Sequence, residues 1–410
     1  MLTIAPFRAL LPPAEKAHLV ASVPYDVVSR DEAAAMAGEN PLSFLRVSRP
    51  EIEFPAEADP YGDEIYARAA ENFEKLKSLA PLNDDKLSHF YAYSLFKDGH
   101  RQSGLVAACS VDDYDDDRIK KHEKTRQDKE DDRARHTLEI RAHSGPVFLV
   151  CRSSWNMDST IQEVMGNSKP LFDVTDEKGV QHQIWRIPEA YHALLEHTFS
   201  QMKKMYIADG HHRAAAASRA AAHCRENNPS HTGDEDYNYF LAVTFPASQL
   251  KILAYNRAVK DLNGLTREEL LKEIDKKFHI VDATSPVPPK PGVFCMYIGG
   301  DWYELIPEFD ISSLGVTECL DVSILQDNIL APLLDIADPR TSKRVDFIGG
   351  IRGTAELEKL VDSGSHAVAF SMYPTTMEQL LDIADAGEIM PPKSTWFEPK
   401  LRDGLVCHTF

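Results

Sequence analysis

Cysteine is scarce in this chain, and no two cysteines sit at metal-binding or redox spacing. The six, Cys109, Cys151, Cys224, Cys295, Cys319 and Cys407, are scattered without a Cys-x-x-Cys pair. That excludes a zinc ribbon and a disulfide framework, and it fits a reduced compartment. No apolar run approaches membrane-spanning length, and Met-Leu-Thr-Ile-Ala-Pro-Phe-Arg at the start shows no signal-peptide pattern. A cytoplasmic location is therefore expected. Positive charge is in deficit: 45 Lys and Arg face 64 Asp and Glu, a net charge of −19. Wholesale binding to nucleic acid or to an anionic membrane is disfavoured by that balance, although a local basic pocket is not. The chain also lacks internal repeats and low-complexity tracts.

What is present is ample apolar material, 43% of 410 residues, enough for two or three domains. The most informative stretch is Met205 to Ala217. Met205 to Ala208 reads as a buried strand, Asp209-Gly210 as a tight turn, and His211 to Arg225 as an alanine-rich helix. Such a junction points free backbone N–H groups and the positive end of a helix dipole at one spot. His211, His212 and Arg213 fall in the first helical turn, where cations oppose the dipole, and an anion among them resolves the conflict. Phosphate is the leading candidate. Two other readings stay open: an ordinary turn with solvated basic residues, and a structural zinc, although His211 and His212 point roughly 100° apart along a helix.

Other stretches stand out in chain order. Val23-Pro24-Tyr25-Asp26-Val27-Val28 reads as strand, turn and strand with Asp26 near the turn. Ser29 and Glu32 form a capping box for a helix through Met36. Leu42 to Val47 is expected to be a strand, and Tyr61 to Leu79 a helix with Ile65, Ala69, Phe73, Leu76 and Leu79 on its apolar stripe. A hairpin turns at Asp98-Gly99. Lys121-His122-Glu123-Lys124-Thr125 precedes a charged helix and is either a solvated segment or an active-site loop. A boundary near residue 262 is expected, giving domains 1–262 and 263–410. The second is an α/β unit with a helix from Thr266 to Phe278 and a proline-rich connector at 285–291. The stretch Met390 to Lys400 is either a surface strap or a cover for a cleft.

With those residues in view, the chain resembles the family catalogued as domain of unknown function 1015. The resemblance rests on Val23 to Ser29, Lys121 to Thr125, Asp209 to Arg213, Tyr255-Asn256-Arg257 and Pro392-Lys393-Ser394-Thr395. Its Gly-x-His-Arg core is also similar to a ParB/sulfiredoxin-type superfamily, whose members place a nucleotide phosphate on this strand, turn and helix. Sulfiredoxins carry a cysteine after the glycine, where this chain has His211. ParB-type clamps carry a helix-turn-helix and a basic surface, and neither is evident. Free-serine kinases carry Asp-Gly-His-Thr-Arg, matched at Asp209, Gly210, His211 and Arg213 and departed from at His212.

The resemblance implies an α/β (α+β) fold with a ParB/sulfiredoxin-like N-terminal core and a smaller α/β C-terminal domain. It further implies a nucleotide-dependent phosphotransferase acting on a small hydroxyl-bearing metabolite, using ATP or ADP with Mg2+. The expected phosphate ligands are Gly210, His211, His212, Arg213 and Lys124. Asp26 is the expected base, with Glu123 and Asp209 as alternate bases or magnesium ligands. A non-catalytic nucleotide sensor and a nucleotide hydrolase are the competing readings, and a homodimer is compatible with either. The nucleotide base, the acceptor and the oligomeric state stay open.

Overall fold

The computed structural model describes every residue except Pro81 and Asp85. The chain is a mixed α/β protein with two compact units, Met1–Leu250 joined by Pro399–Phe410, and Lys251–Glu398.

The first unit is organised on a nine-stranded mixed sheet. Its order is Ile119–Lys120, Met205–Asp209, Val147–Cys151, Tyr239–Pro246, His100–Ser110, Tyr91–Lys97, Gln181–Arg186 and Phe172–Thr175, with Ile4–Ala5 added along His100–Ser110. Val147–Cys151 reads Val-Phe-Leu-Val-Cys and is buried at every position, the continuous apolar run of a strand covered on both faces. The Asp98-Gly99 hairpin forms as expected, with both residues at positive φ.

Small side chains explain how the His211–Asn227 helix seats itself. Ala214, Ala217 and Ala221 join the core of the sheet at helical spacing, while Ala215, Ala216 and Ala220 are also buried. The Gln127–Ile140 helix packs alongside, and Arg219 ties the two by pairing with Glu130 (3.5 Å) and Asp131. A separate four-stranded sheet unites Asn83–Asp84, Ala9–Leu11, Cys407–Thr409 and Ala142–His143.

The second unit carries a six-stranded antiparallel sheet. Its order is Phe278–Asp282, Asp301–Pro307, Phe294–Ile298, Val368–Ser371, Tyr255–Val259 and Val345–Gly349. Ile252–Leu253 pairs with Trp396–Phe397 in a two-stranded ribbon.

Four sequence readings change. Leu42 to Val47 is not a strand; Leu45–Ser48 is one helical turn. The Asn40 side chain accepts the Leu42 N–H at 3.0 Å, and Arg46 is gripped by the Asn40 and Gly38 carbonyls. These local bonds override the β-branched content, an ambiguity inherent in short apolar runs. Val23 to Val28 forms a turn closed by Val27 N–H on Pro24 O (3.3 Å), without flanking strands. The helix opened by the Thr266–Glu269 capping box stops at Ile274, and Phe278 begins a strand. The division falls at Leu250 instead of 262, because Tyr255–Val259 pairs within the second unit's sheet, and the last residues return to the first unit.

Candidate functional site

Three of the stretches singled out by sequence meet at the start of the His211–Asn227 helix. The strand Met205–Asp209 ends at Gly210, whose φ of +94° is readily reached only by glycine. Among the described residues no side chain caps this helix; the Asp209 carboxylate takes the Gly210 N–H and Gly210 O the Arg213 N–H at 3.0 Å, which leaves the His211 and His212 N–H groups at the positive end of the dipole.

The loop 121–126 lies over this end, and the two histidines hold it there. His211 Nε2 accepts the His122 N–H at 3.4 Å, and His212 Nε2 accepts the Arg126 N–H at 3.2 Å. An accepting Nε2 leaves the proton of His211 on Nδ1, which faces Glu123 Oε2 at 3.8 Å. His122 and His211 meet edge to face, ring centres 4.5 Å apart, at 2% and 4% exposure. Burial lowers the pKa of both, that of His122 to about 4. Burial likewise lowers that of His212, against the pull of the Asp26 charge. The two first-turn histidines are thus neutral acceptors, which removes the charge conflict expected from sequence; desolvation is the reason. His122 Nδ1 is buried and, among the described residues, has no hydrogen-bond partner.

Arg213 is charged and already matched. It makes a two-point ion pair with Asp403, at 2.8 and 3.0 Å, with side chains 15% and 3% exposed. Burial pulls its pKa down, but the facing carboxylate more than offsets this and holds it above the ordinary arginine value. Gly145 lines the pair so closely that no side chain fits there. Two guanidiniums approach the Tyr25 ring, Arg133 at 4.3 Å and Arg213 at 5.5 Å from its centre. Arg49 fixes that turn by donating to the Tyr25 and Val28 carbonyls at 2.7 and 2.6 Å.

Asp26, next along, is exposed and close enough for its charge to act on His212, Arg213 and Asp403. Asp209 accepts from Gly210 N–H at 3.1 Å and pairs with Lys400 at 2.5 Å. Burial opposes its charge, yet Lys400 and Arg213 hold its carboxyl below the usual range. Glu123 and Lys124 are exposed on the loop, and Lys121 sits 4.1 Å over the Tyr114 ring.

Among the described residues, no group of three or more His, Cys, Asp or Glu side chains could hold a metal ion. Magnesium needs no such cage, since it commonly takes one or two carboxylates with substrate phosphates and water. Of its two expected ligands, Asp209 is engaged by Lys400, while Glu123 reaches out at the loop surface.

Sequence reasoning missed Lys400, Asp403, Arg133 and Gly145. The first two lie about 190 positions beyond their partners, and no local spacing signals a pair that far apart.

The fold and site define a mixed α/β protein with a loop-covered, uncapped helix N-terminus. The chain belongs to the family described as protein of unknown function (DUF1015), whose model matches residues 4–323. No curated protein matches it. Among solved structures it is similar to a free serine kinase in complex with AMP, at 12% identity over 72% of this chain and 86% of that one, TM-score 0.34. It is also similar to SbnI with C-terminal truncation from Staphylococcus aureus, at 11% identity over 73% and 85%, TM-score 0.40. A conserved hypothetical protein from Pyrococcus furiosus stands at 13% identity over 73% and 93%, TM-score 0.35. Scores this low leave the functional reading to the site's own geometry. Among the described residues no helix is long and apolar enough to cross a membrane.

Proposed function

We propose that the start of the His211–Asn227 helix binds the phosphates of a nucleotide, ATP or ADP, and that the protein transfers a phosphoryl group to a small hydroxyl-bearing metabolite. The observation that carries the reading is the convergence of Tyr25-Asp26, the 121–125 loop and Asp209 to Arg213 on a helix end that no side chain caps. An uncapped N-terminus after a positive-φ glycine is a ready-made anion site. Beside it the buried His122 Nδ1 has no hydrogen-bond partner among the described residues. The Asp209-Gly210-His211-x-Arg213 sequence resembles the nucleotide-binding core of the ParB/sulfiredoxin-type superfamily, and free-serine kinases within it.

The residues divide the work as follows. The His211 and His212 backbone N–H groups take phosphate oxygens, and Gly210 supplies the turn that lets the phosphate approach them. His211 and His212 act through the loop they hold, and Arg213 acts through Asp403 to fix the strap 399–410. Lys124 supplies an exposed positive charge. Asp26 receives the acceptor's hydroxyl proton as the new O–P bond forms and the terminal phosphoanhydride P–O bond breaks. Glu123 would be the carboxylate to hold a magnesium ion, which would supply neutralisation of phosphate charge if bound with the nucleotide.

Calorimetric titration of ADP and ATP into the wild type and Gly210→Val tests the site. Saturable binding that the variant loses supports the reading; equal affinity in both removes it.

A further inference from the structure

Two sequence stretches that the reading above leaves unused, Tyr255-Asn256-Arg257 and Pro392-Lys393-Ser394-Thr395, meet inside the second unit. Arg257, on the strand Tyr255–Val259, is 4% exposed. Its guanidinium donates to the Tyr255 carbonyl and to those of Pro392 (3.4 Å) and Lys393 (3.2 Å), and Phe347 lies 5.2 Å from it. Among the described residues no carboxylate pairs with it. A buried guanidinium ordinarily faces an acid, because removing a charge from water is costly. Burial pushes the Arg257 pKa down to about 10.

A second cation, Lys393, belongs to the turn whose carbonyls Arg257 binds. Lys393 has φ +56°, a left-handed conformation that a lysine rarely adopts, and its side chain is exposed. Its Nζ lies 5.7 Å from the Tyr255 ring centre. The turn is held rigidly in that shape. Arg257 grips two of its carbonyls, Ser394 Oγ donates to Pro391 O at 2.7 Å, and Thr375 Oγ1 donates to Ser394 O at 2.9 Å. Trp396 packs on Tyr255, ring centres 5.2 Å apart, and covers Gly349 where a side chain would not fit. Strain of this kind persists only where surrounding structure enforces it. In a chain of net charge −19, one cation in an enforced turn and another bound to that turn's carbonyls, with no acid paired to either among the described residues, make a local exception.

We propose that this turn is an oxyanion-binding site of the second unit, taking the phosphate or carboxylate group of a small molecule. Lys393 is the direct ligand, and Arg257 supplies charge beneath the turn and fixes its carbonyls.

The test is the thermal unfolding midpoint of the full chain, titrated with inorganic phosphate or acetate against chloride at matched ionic strength. It is run in Gly210→Val, so that the first unit's helix end does not respond, and in the otherwise unmodified chain as a second reading. A ligand that binds the native state raises the midpoint saturably. The expected result is such a rise, with apparent affinity weakened about tenfold or more by Lys393→Met and kept by Lys393→Arg, as a lost charge-assisted contact predicts. A response to acetate identifies a carboxylate group, and one to phosphate alone identifies a phosphate group. An unchanged titration in Lys393→Met, or no rise above chloride with either ion, overturns the proposal.

Discussion

Arg213 and Asp403 stand 190 positions apart in sequence and meet in a two-point ion pair of 2.8 and 3.0 Å. The Asp403 backbone also pairs with Ser22 in both directions, at 3.1 and 2.9 Å. One residue thus links the returning strap, the segment before Tyr25-Asp26 and the helix of the candidate site. Breaking a buried pair strands a charge, which commonly costs about 3–5 kcal/mol. Asp403→Asn is expected to lose about that much stability in urea unfolding. Gly145→Ala should destabilise by about 1–3 kcal/mol, because it overpacks the same pair. Losses below about 0.5 kcal/mol in both variants, the level of an ordinary surface change, would show that the pair is dispensable.

Acid should loosen the first unit through His122. Its pKa is lowered from 6.5 to about 4 by burial, so the unfolded chain takes up the proton first. The stabilisation is complete above about pH 6.5 and is lost as pH falls towards 4, on the order of 3 kcal/mol for this group. His136, also lowered to about 4 by burial, acts in the same direction. Urea unfolding followed across this window should show stability declining with acid in the wild type and a shallower decline in His122→Gln. Parallel slopes in the two proteins would remove His122 from the explanation.

Thiol chemistry is not expected. Burial raises the pKa of all six cysteines, Cys224 included, so none is held as a reactive thiolate at neutral pH. Cys224→Ser should keep nucleotide binding and turnover at wild-type level. A folded but inactive variant would reopen a cysteine mechanism.

Capping boxes and the central strand, turn and helix were legible from short spacings in the sequence. The Ser29–Glu32 and Thr266–Glu269 capping boxes form with both reciprocal bonds, and the Met205-to-Asn227 strand, turn and helix follow their apolar patterns closely. Short apolar runs misled at Leu42 to Val47 and Val23 to Val28, where local bonds make turns, and the chemistry of the site depended on tertiary surroundings. His211 and His212 look cationic in sequence, yet burial makes them neutral acceptors for the loop at 121–126. Arg213, expected as a phosphate ligand, also pairs with Asp403 from the far end of the chain, a partner no local spacing signals. Lys400 likewise pairs with Asp209, which the sequence offered beside Glu123 as an alternate base or magnesium ligand.

The central claim, phosphoryl transfer at the helix end with Asp26 as base, is tested most directly by following the products. Asp26 is exposed in its turn, so an asparagine there should keep the fold and the nucleotide affinity. Purified wild type and Asp26→Asn would be incubated with ADP or ATP plus pooled amino acids and sugars, and products read by mass spectrometry. The account predicts a phosphorylated acceptor from the wild type, formed about a hundredfold or more slowly by the variant. Nucleotide left intact with every acceptor, or phosphate released equally without one, would contradict it.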